Sequence, residues 1–530
     1  IFGTIAVLLV IVFSIMTAMG LAGWLGIQLT PISASAPTVI MTLAVADSVH
    51  VLVVALMRLR EGAGKIEAMK ESLRVNMQPV FLTTFTTAIG FLSLNFGEIP
   101  PFGDLGNITA IGVTAAFIFS VAFLPAFIAV VPLRVKVRPK SAGTSLMDRF
   151  ANFAIMQRRG LLMGGVMIFI VLAAFIPRLE NNEQWVDYFS TSMKFRQDSD
   201  FTQNNLTGLY SVEYSLAAQE SGGISDPAYL QKLDNYAEWL RDQPEVYHVF
   251  SFTDTMRRLN KNMHADDASY YRVPDSRDLA AQYLLLYEMS LPYGLDLNDR
   301  VNVDKSSTRM TVTLNNMPTA QMLAFEDRAA QWQAENLPVH MHSLPSGPTA
   351  MFSHMAGQNV PALVGGAFLA LGIITITMIL ALRSVKFGLL TIIPNLVPAV
   401  MTFGLWAIAV TMVDIAAATV IATTLGIVVD DSVHFMSKYM RSLRSEGGTT
   451  EGAVRYAFRT VGPALILTSG ILIVGFSILA MSTFRMNWTL GILSAITILI
   501  ALLWDLLVLP AILMLAGKSN SIFKVKGGET

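Results

Sequence analysis

The sequence predicts an α-helical polytopic membrane protein made as a parallel internal repeat, joined to one soluble α+β domain of ferredoxin-like pattern. Three observations predict it. Of 530 residues, 53% are hydrophobic and 14% charged, with a mean hydropathy of +0.53, which is too apolar for a soluble chain of this size. Ten apolar runs approach or exceed the roughly 18–20 residues that a bilayer crossing needs. The tetrapeptide Asp-Ser-Val-His occurs twice inside such runs, at Asp47–His50 and at Asp431–His434.

In chain order the runs are about Phe2–Leu25, Ile32–Met57, Val80–Phe96, Leu105–Val131, Leu161–Ile176, Val360–Leu382, Phe387–Met412, Ile415–Met436, Ala464–Met481 and Thr489–Leu515. Residues 1–132 are the first membrane block and 133–160 a linker. A single span at 161–177 precedes the soluble segment 178–354. Residues 355–516 form the second block and 517–530 a tail. Basic residues follow alternate spans: Arg58 to Arg74, Arg134 to Arg159, Arg383 with Lys386, Lys438 to Arg459, and Lys518 to Lys526. The positive-inside rule puts these in the cytoplasm and segment 178–354 outside. That segment holds 14 Lys/Arg against 24 Asp/Glu, leaving 23 against 14 for the rest. The basic residues lie at helix ends and form no stripe, so no nucleic-acid partner is expected. With no cysteine, disulfides, thiolate metal sites and cysteine nucleophiles are excluded.

Within 178–354 the periodicity changes to strand and helix. Ser211–Ala218 alternates as a strand, Asp226–Asp242 reads as a helix, and Val246–Phe250 as a strand. Arg309–Leu314, Thr319–Glu335 after Pro318, and Val339–His342 repeat that order. Two such units predict a split βαβ domain. Residues 254–300 between them resist assignment. Glu61–Arg74 and Thr450–Arg459 are basic and amphipathic, and are expected as helices lying along the cytoplasmic interface.

The repeat reaches beyond the tetrapeptide. A shift of 384 lays Asp47 on Asp431, His50 on His434, Pro79 on Pro463 and Thr84 on Thr468. A shift of 385 lays Gly90-Phe91 on Gly475-Phe476, Gly106 on Gly491 and Leu124-Pro125 on Leu509-Pro510. The copies are an even number of crossings apart and so run in the same direction, which makes the repeat parallel. The symmetry leads one to expect two more helices and a second external domain before Ile1.

Ionisable groups inside apolar spans are costly and mark ion or proton paths. Asp47 and His50 share a helix face, as do Asp430, Asp431 and His434. Thr84 and Thr468 stand at matching places on neighbouring spans, with Thr83, Thr86, Thr87 and Ser469 nearby. Asp505 lies in the last run, where Ser120 aligns in the first half. These eight residues, Asp47, His50, Thr84, Asp430, Asp431, His434, Thr468 and Asp505, are the candidate proton relay. Two other readings stay open: acids that only fasten helices together, and a divalent-metal site of Asp and His.

At these residues the chain resembles the resistance-nodulation-division (RND) superfamily of exporters. Gly426-Ile-Val-Val-Asp430-Asp431 resembles that family's Gly-x-x-x-Asp motif. The stretch 226–262, with Pro244-Glu245-Val246 and Val249-Phe250-Ser251, resembles the lipid-exporting MMPL branch and its hopanoid-transporter relatives. The first half departs from the motif, with Ala46 where Asp430 aligns and Thr42 where Gly426 aligns. The resemblance implies helices three to twelve of an RND fold, with 1–132 similar to a sterol-sensing domain. It implies proton antiport and efflux of a hydrophobic, lipid-like substrate from the inner membrane of a bacterium, with 178–354 in the periplasm. It implies neither an enzyme nor a cofactor other than the proton. Membrane lipids, a periplasmic adaptor and further copies of the chain are the partners it would bring. A lipid receptor without pumping and a protein-translocation accessory are its alternatives.

Overall fold

The structure is a computed structural model that describes residues 2–132, 146–292, 294–445 and 448–518. Residues 133–145 of the linker 133–160, with Arg134, and residues 519–530 of the tail 517–530 lie outside the described residues. The chain divides into two compact units. One comprises residues 1–180 with 358–530, the other Asn181–Gly357.

Among the described residues, ten helices are long and apolar enough to cross a membrane. The central one is Ile415–Leu443, whose side chains are almost all buried. It packs against Lys65–Leu92, Thr450–Leu479, Arg485–Leu507 and Ile392–Ala409. The repeat-equivalent helix Ala36–Arg60 packs against Lys65–Leu92, Phe2–Trp24, Pro100–Ile118 and Thr450–Leu479. Each half thus lends a helix to the other: Lys65–Leu92 lies on the second half's acidic helix, and Thr450–Leu479 on the first half's.

Glycines make these exchanges possible. A Cβ on Gly90 would come within 2.8 Å of the Gly426 Cα, so the two backbones touch. At the equivalent crossing a Cβ on Gly475 would stand 2.6 Å from the Thr42 side chain. The threonine in place of the motif glycine therefore fills space that backbone occupies on the other side.

The amphipathic stretches Glu61–Arg74 and Thr450–Arg459 are not separate interfacial helices. Lys65 and Thr450 open single helices that continue into the membrane-spanning segments. Pro79 and Pro463 sit inside these helices without ending them. Neighbouring groups must then satisfy the carbonyls that each proline frees.

The second unit is built on three strands, β1 (Tyr210–Ala217), β2 (Val246–Phe250) and β3 (Ser307–Leu314). Their order is β1–β3–β2, both pairings antiparallel. Helices Pro227–Arg241 and Thr319–Asn336 follow β1 and β3. This is a split βαβ layout with its fourth strand lost. Val339–Met341 forms a 3-10 turn in place of the expected strand Val339–His342. Just after this turn, Ser346 makes a single bridge to β1, at Glu213. Pro338 and Pro345 bracket the segment and lack the N–H a ladder needs. The unassigned stretch 254–300 supplies two more helices, Phe252–Met263 and Arg277–Ser290, started by Ser251 and Ser276 caps.

Candidate functional site

The Asp47 helix (Ala36–Arg60) and the Asp430 helix (Ile415–Leu443) bring their twin faces together. The imidazole rings of His50 and His434 stack with centroids 3.9 Å apart. Asp430 sits beside the stack, its oxygens 3.8 Å from His50 Nε2 and 3.4 Å from His434 Nε2. These are distances at which charges act on each other, but no hydrogen bond forms there. His50 Nε2, both nitrogens of His434 and Asp430 Oδ1 are buried without a hydrogen-bond partner among the described residues.

The remaining acids extend the cluster. Asp47 accepts a 3.4 Å hydrogen bond from Thr84 Oγ1, and Asp431 a 2.6 Å bond from Ser469 Oγ. Asp47, Asp430, Thr83 and Thr84 share a cavity of about 20 Å³, room for about one water molecule. Asp505 is fully buried, close enough to Asp431 for their charges to interact. Both its oxygens lack partners among the described residues, as does Asp431 Oδ1. Helix fasteners would be satisfied, because an unpaired polar group in low dielectric is costly. Seven orphaned atoms on five titratable side chains fit groups that change protonation state.

Of the eight candidates, seven meet in this cluster. Thr468 does not: its hydroxyl bonds the carbonyls of Ala464 and Leu465 in its own helix. Ser469, one position on, makes the contact with Asp431. Both histidines are buried, with His50 3% and His434 0% exposed. Ser48 and Ser432, equivalents in the tetrapeptides, bond Ser120 and Asn395.

Two charged residues have roles the sequence did not reveal. Lys438, grouped above with the cytoplasmic loop, lies inside the Asp430 helix, 3% exposed. Its Nζ donates to the Val75 carbonyl at 3.2 Å. Val75 stands four residues before Pro79, so its carbonyl is the one that proline leaves without a helical donor. Asp414 caps the same helix at its other end, accepting from the Ala417 N–H at 2.7 Å, with Arg485 Nε at 3.8 Å. A Pro directly before the predicted span Val80–Phe96 and a Lys four residues beyond His434 are the available signals.

One ligand atom from each of His50, Asp430 and His434 lies within 4.8 Å of the others, close enough to compare with a metal site. An imidazole coordinates through a lone pair in its own plane. Rings 8° from parallel and face to face send those lone pairs side by side and not to one point.

The fold is shared with solved structures. The hedgehog release protein Disp from the water bear Hypsibius dujardini aligns at a TM-score of 0.63 and 15% identity, over 96% of this chain and 66% of that one. SecDF, a translocon-associated membrane protein from Thermus thermophilus, aligns at 0.60 and 14% identity, over 98% and 59%. The chain therefore spans less than two thirds of either. At such identities the likeness speaks for the fold alone. No curated protein sequence matches it. The model of the MMPL family matches residues 2–162 and 241–530, both membrane blocks and much of the soluble unit. The chain is a multi-pass membrane protein that belongs to the MMPL family.

Proposed function

We propose that this protein is a proton-driven exporter of lipids or other amphiphilic molecules in a bacterial inner membrane, with Asn181–Gly357 facing the periplasm. Asp47, Asp430, Asp431 and Asp505 bind and release protons together with the two histidines. Thr84 and Ser469 orient the Asp47 and Asp431 carboxylates. The membrane potential contributes on the order of 2.3 kcal/mol per charge per 100 mV to each proton moved. The observation that carries this reading is the gathering of orphaned carboxylate and imidazole atoms from both halves at one buried point. A change of charge there alters how the halves pack, and rocking of parallel halves is the expected mode of work.

The test is transport of a fluorescent phospholipid in proteoliposomes under an imposed pH gradient. Wild type should move lipid only with the gradient, and Asp431→Asn and Asp47→Asn should stop it while lipid binding persists. Undiminished gradient-driven transport by both variants would sink the reading. Lipid binding without gradient-driven movement in wild type would favour a receptor.

A further inference from the structure

A cavity of about 410 Å³ opens at the basic end of the membrane unit. Its rim is made of Arg58, Glu61, Glu71, Arg74 and Arg441. The side chains of Arg58 and Arg74 are 48% and 64% exposed, so the rim meets solvent. At its inner end lie the buried residues His50 and Asn76, whose amide donates to the His50 carbonyl at 3.0 Å. Of the buried titratable groups in the cluster, His50 alone lines this cavity. A second cavity of about 420 Å³ at the same end is lined by Val433, Ser437 and Lys438, and does not reach His434. Lys438 lines both cavities.

Past His50 the route continues inward. Its Nε2 is 3.8 Å from Asp430 Oδ2, and Asp430 shares the water-sized cavity with Asp47. His434 is sealed, with Asp430 and His50 against it. The two histidines of the repeat are thus equivalent in sequence and unequal in access.

We propose that the 410 Å³ cavity is the protons' doorway on the cytoplasmic side, and that His50 carries them across it while His434 does not. The proposal rests on the proton-coupled reading above. His50 takes a proton at Nε2 from the Asp430 carboxyl, through one bridging water across their 3.8 Å gap, and becomes imidazolium. It then gives a proton to water in the cavity and ends neutral; only N–H and O–H bonds form and break. The groups that face it are Asp430 and His434 from the central helix. Lys438 and Arg441 of that helix, Glu71 and Arg74 of the neighbouring helix, and Arg58 and Glu61 from its own segment face the cavity. Arginine and lysine around the entrance oppose hydrated metal cations, whereas a proton can pass along water.

The test uses the full chain in vesicles of phosphatidylethanolamine and phosphatidylglycerol with a trapped pH-sensitive dye. His50→Ala should slow gradient-driven proton entry by about a hundredfold, the scale of a lost acid–base group. Added imidazole, small enough for the cavity, should restore it. His434→Ala, whose site no described cavity reaches, should gain nothing from imidazole. His50→Gln fills the space and should stay slow with imidazole, which separates a lost proton carrier from a collapsed fold. The doorway is overturned if His50→Ala keeps wild-type flux, or if imidazole rescues both alanine variants or neither. Asp430→Asn separates the two claims. If it conducts normally, proton coupling itself fails; if it is silent while His50→Ala conducts, only the doorway fails.

Discussion

His50 and His434 stack face to face, their centroids 3.9 Å apart and their planes 8° from parallel. Equivalent residues of a two-fold repeat can touch only at the axis that relates the halves, so this stack lies on that axis. Asp430 breaks the symmetry, because Ala46 stands at its equivalent position. An acid at position 46 would approach the same stack from the other side. Asp430→Ala should abolish proton-dependent transport. Ala46→Asp added to it should restore a measurable part, within about tenfold of wild type, or about 1.4 kcal/mol in barrier. Flux in reconstituted vesicles reads both variants. A double variant as silent as the single one would show that the site depends on its asymmetry.

The hydroxyl partners separate by one residue. Ser469 donates to Asp431 at 2.6 Å, and a hydrogen bond to a charged acceptor contributes roughly 1.5–3 kcal/mol. Thr468 bonds only its own helix. Ser469→Ala should slow transport by about tenfold or more, whereas Thr468→Val, which keeps the shape, should stay near wild type. Equal effects from the two would refute the assignment.

That pair also marks how far the sequence could be read. The repeat, the ten spans and the acid-bearing helices were legible because apolar runs and repeated polar residues survive in a linear pattern. Alignment by 384 picked Thr468 as the mate of Thr84, yet the register slips to 385 before Gly475, and Ser469 lies past the slip. The lost fourth strand was hidden by a short Val-His-Met-His alternation, which a 3-10 turn between prolines also satisfies. Lys438 was illegible for another reason. Its position within the helix followed from how far the helix extends, and its partner from a proline on a different span.

Lys438 and Pro79 form a testable couple. Lys438→Met leaves the Val75 carbonyl without a donor, a cost of about 1–3 kcal/mol. Pro79→Ala restores a backbone N–H that can bond the same carbonyl. The loss of thermal stability caused by Lys438→Met should therefore shrink when Pro79→Ala is present. Thermal denaturation in detergent of wild type, both single variants and the double closes the cycle. Strict additivity would mean that Lys438 serves something other than that carbonyl.

The soluble unit carries a pH signature of its own. Burial lifts the Glu326 carboxyl above its usual range, even though the imidazole of His354 lies 2.6 Å away and opposes the shift. A carboxyl that holds its proton more tightly folded than unfolded stabilises the fold fully below the unfolded value, near 4.5. That contribution is lost as pH rises through the higher folded value. Glu326→Gln keeps an oxygen for His354 but cannot ionise. The variant should therefore lose less stability than wild type as pH rises from about 4 toward neutrality, a range set by the unfolded carboxyl. Thermal unfolding of the full chain in detergent at several pH values reads the difference by tryptophan fluorescence. Trp332 on the Glu326 helix and Trp239 stack 5.5 Å apart and contribute to that signal. Parallel stability curves for the two proteins would show that Glu326 is no more basic in the fold than in the open chain.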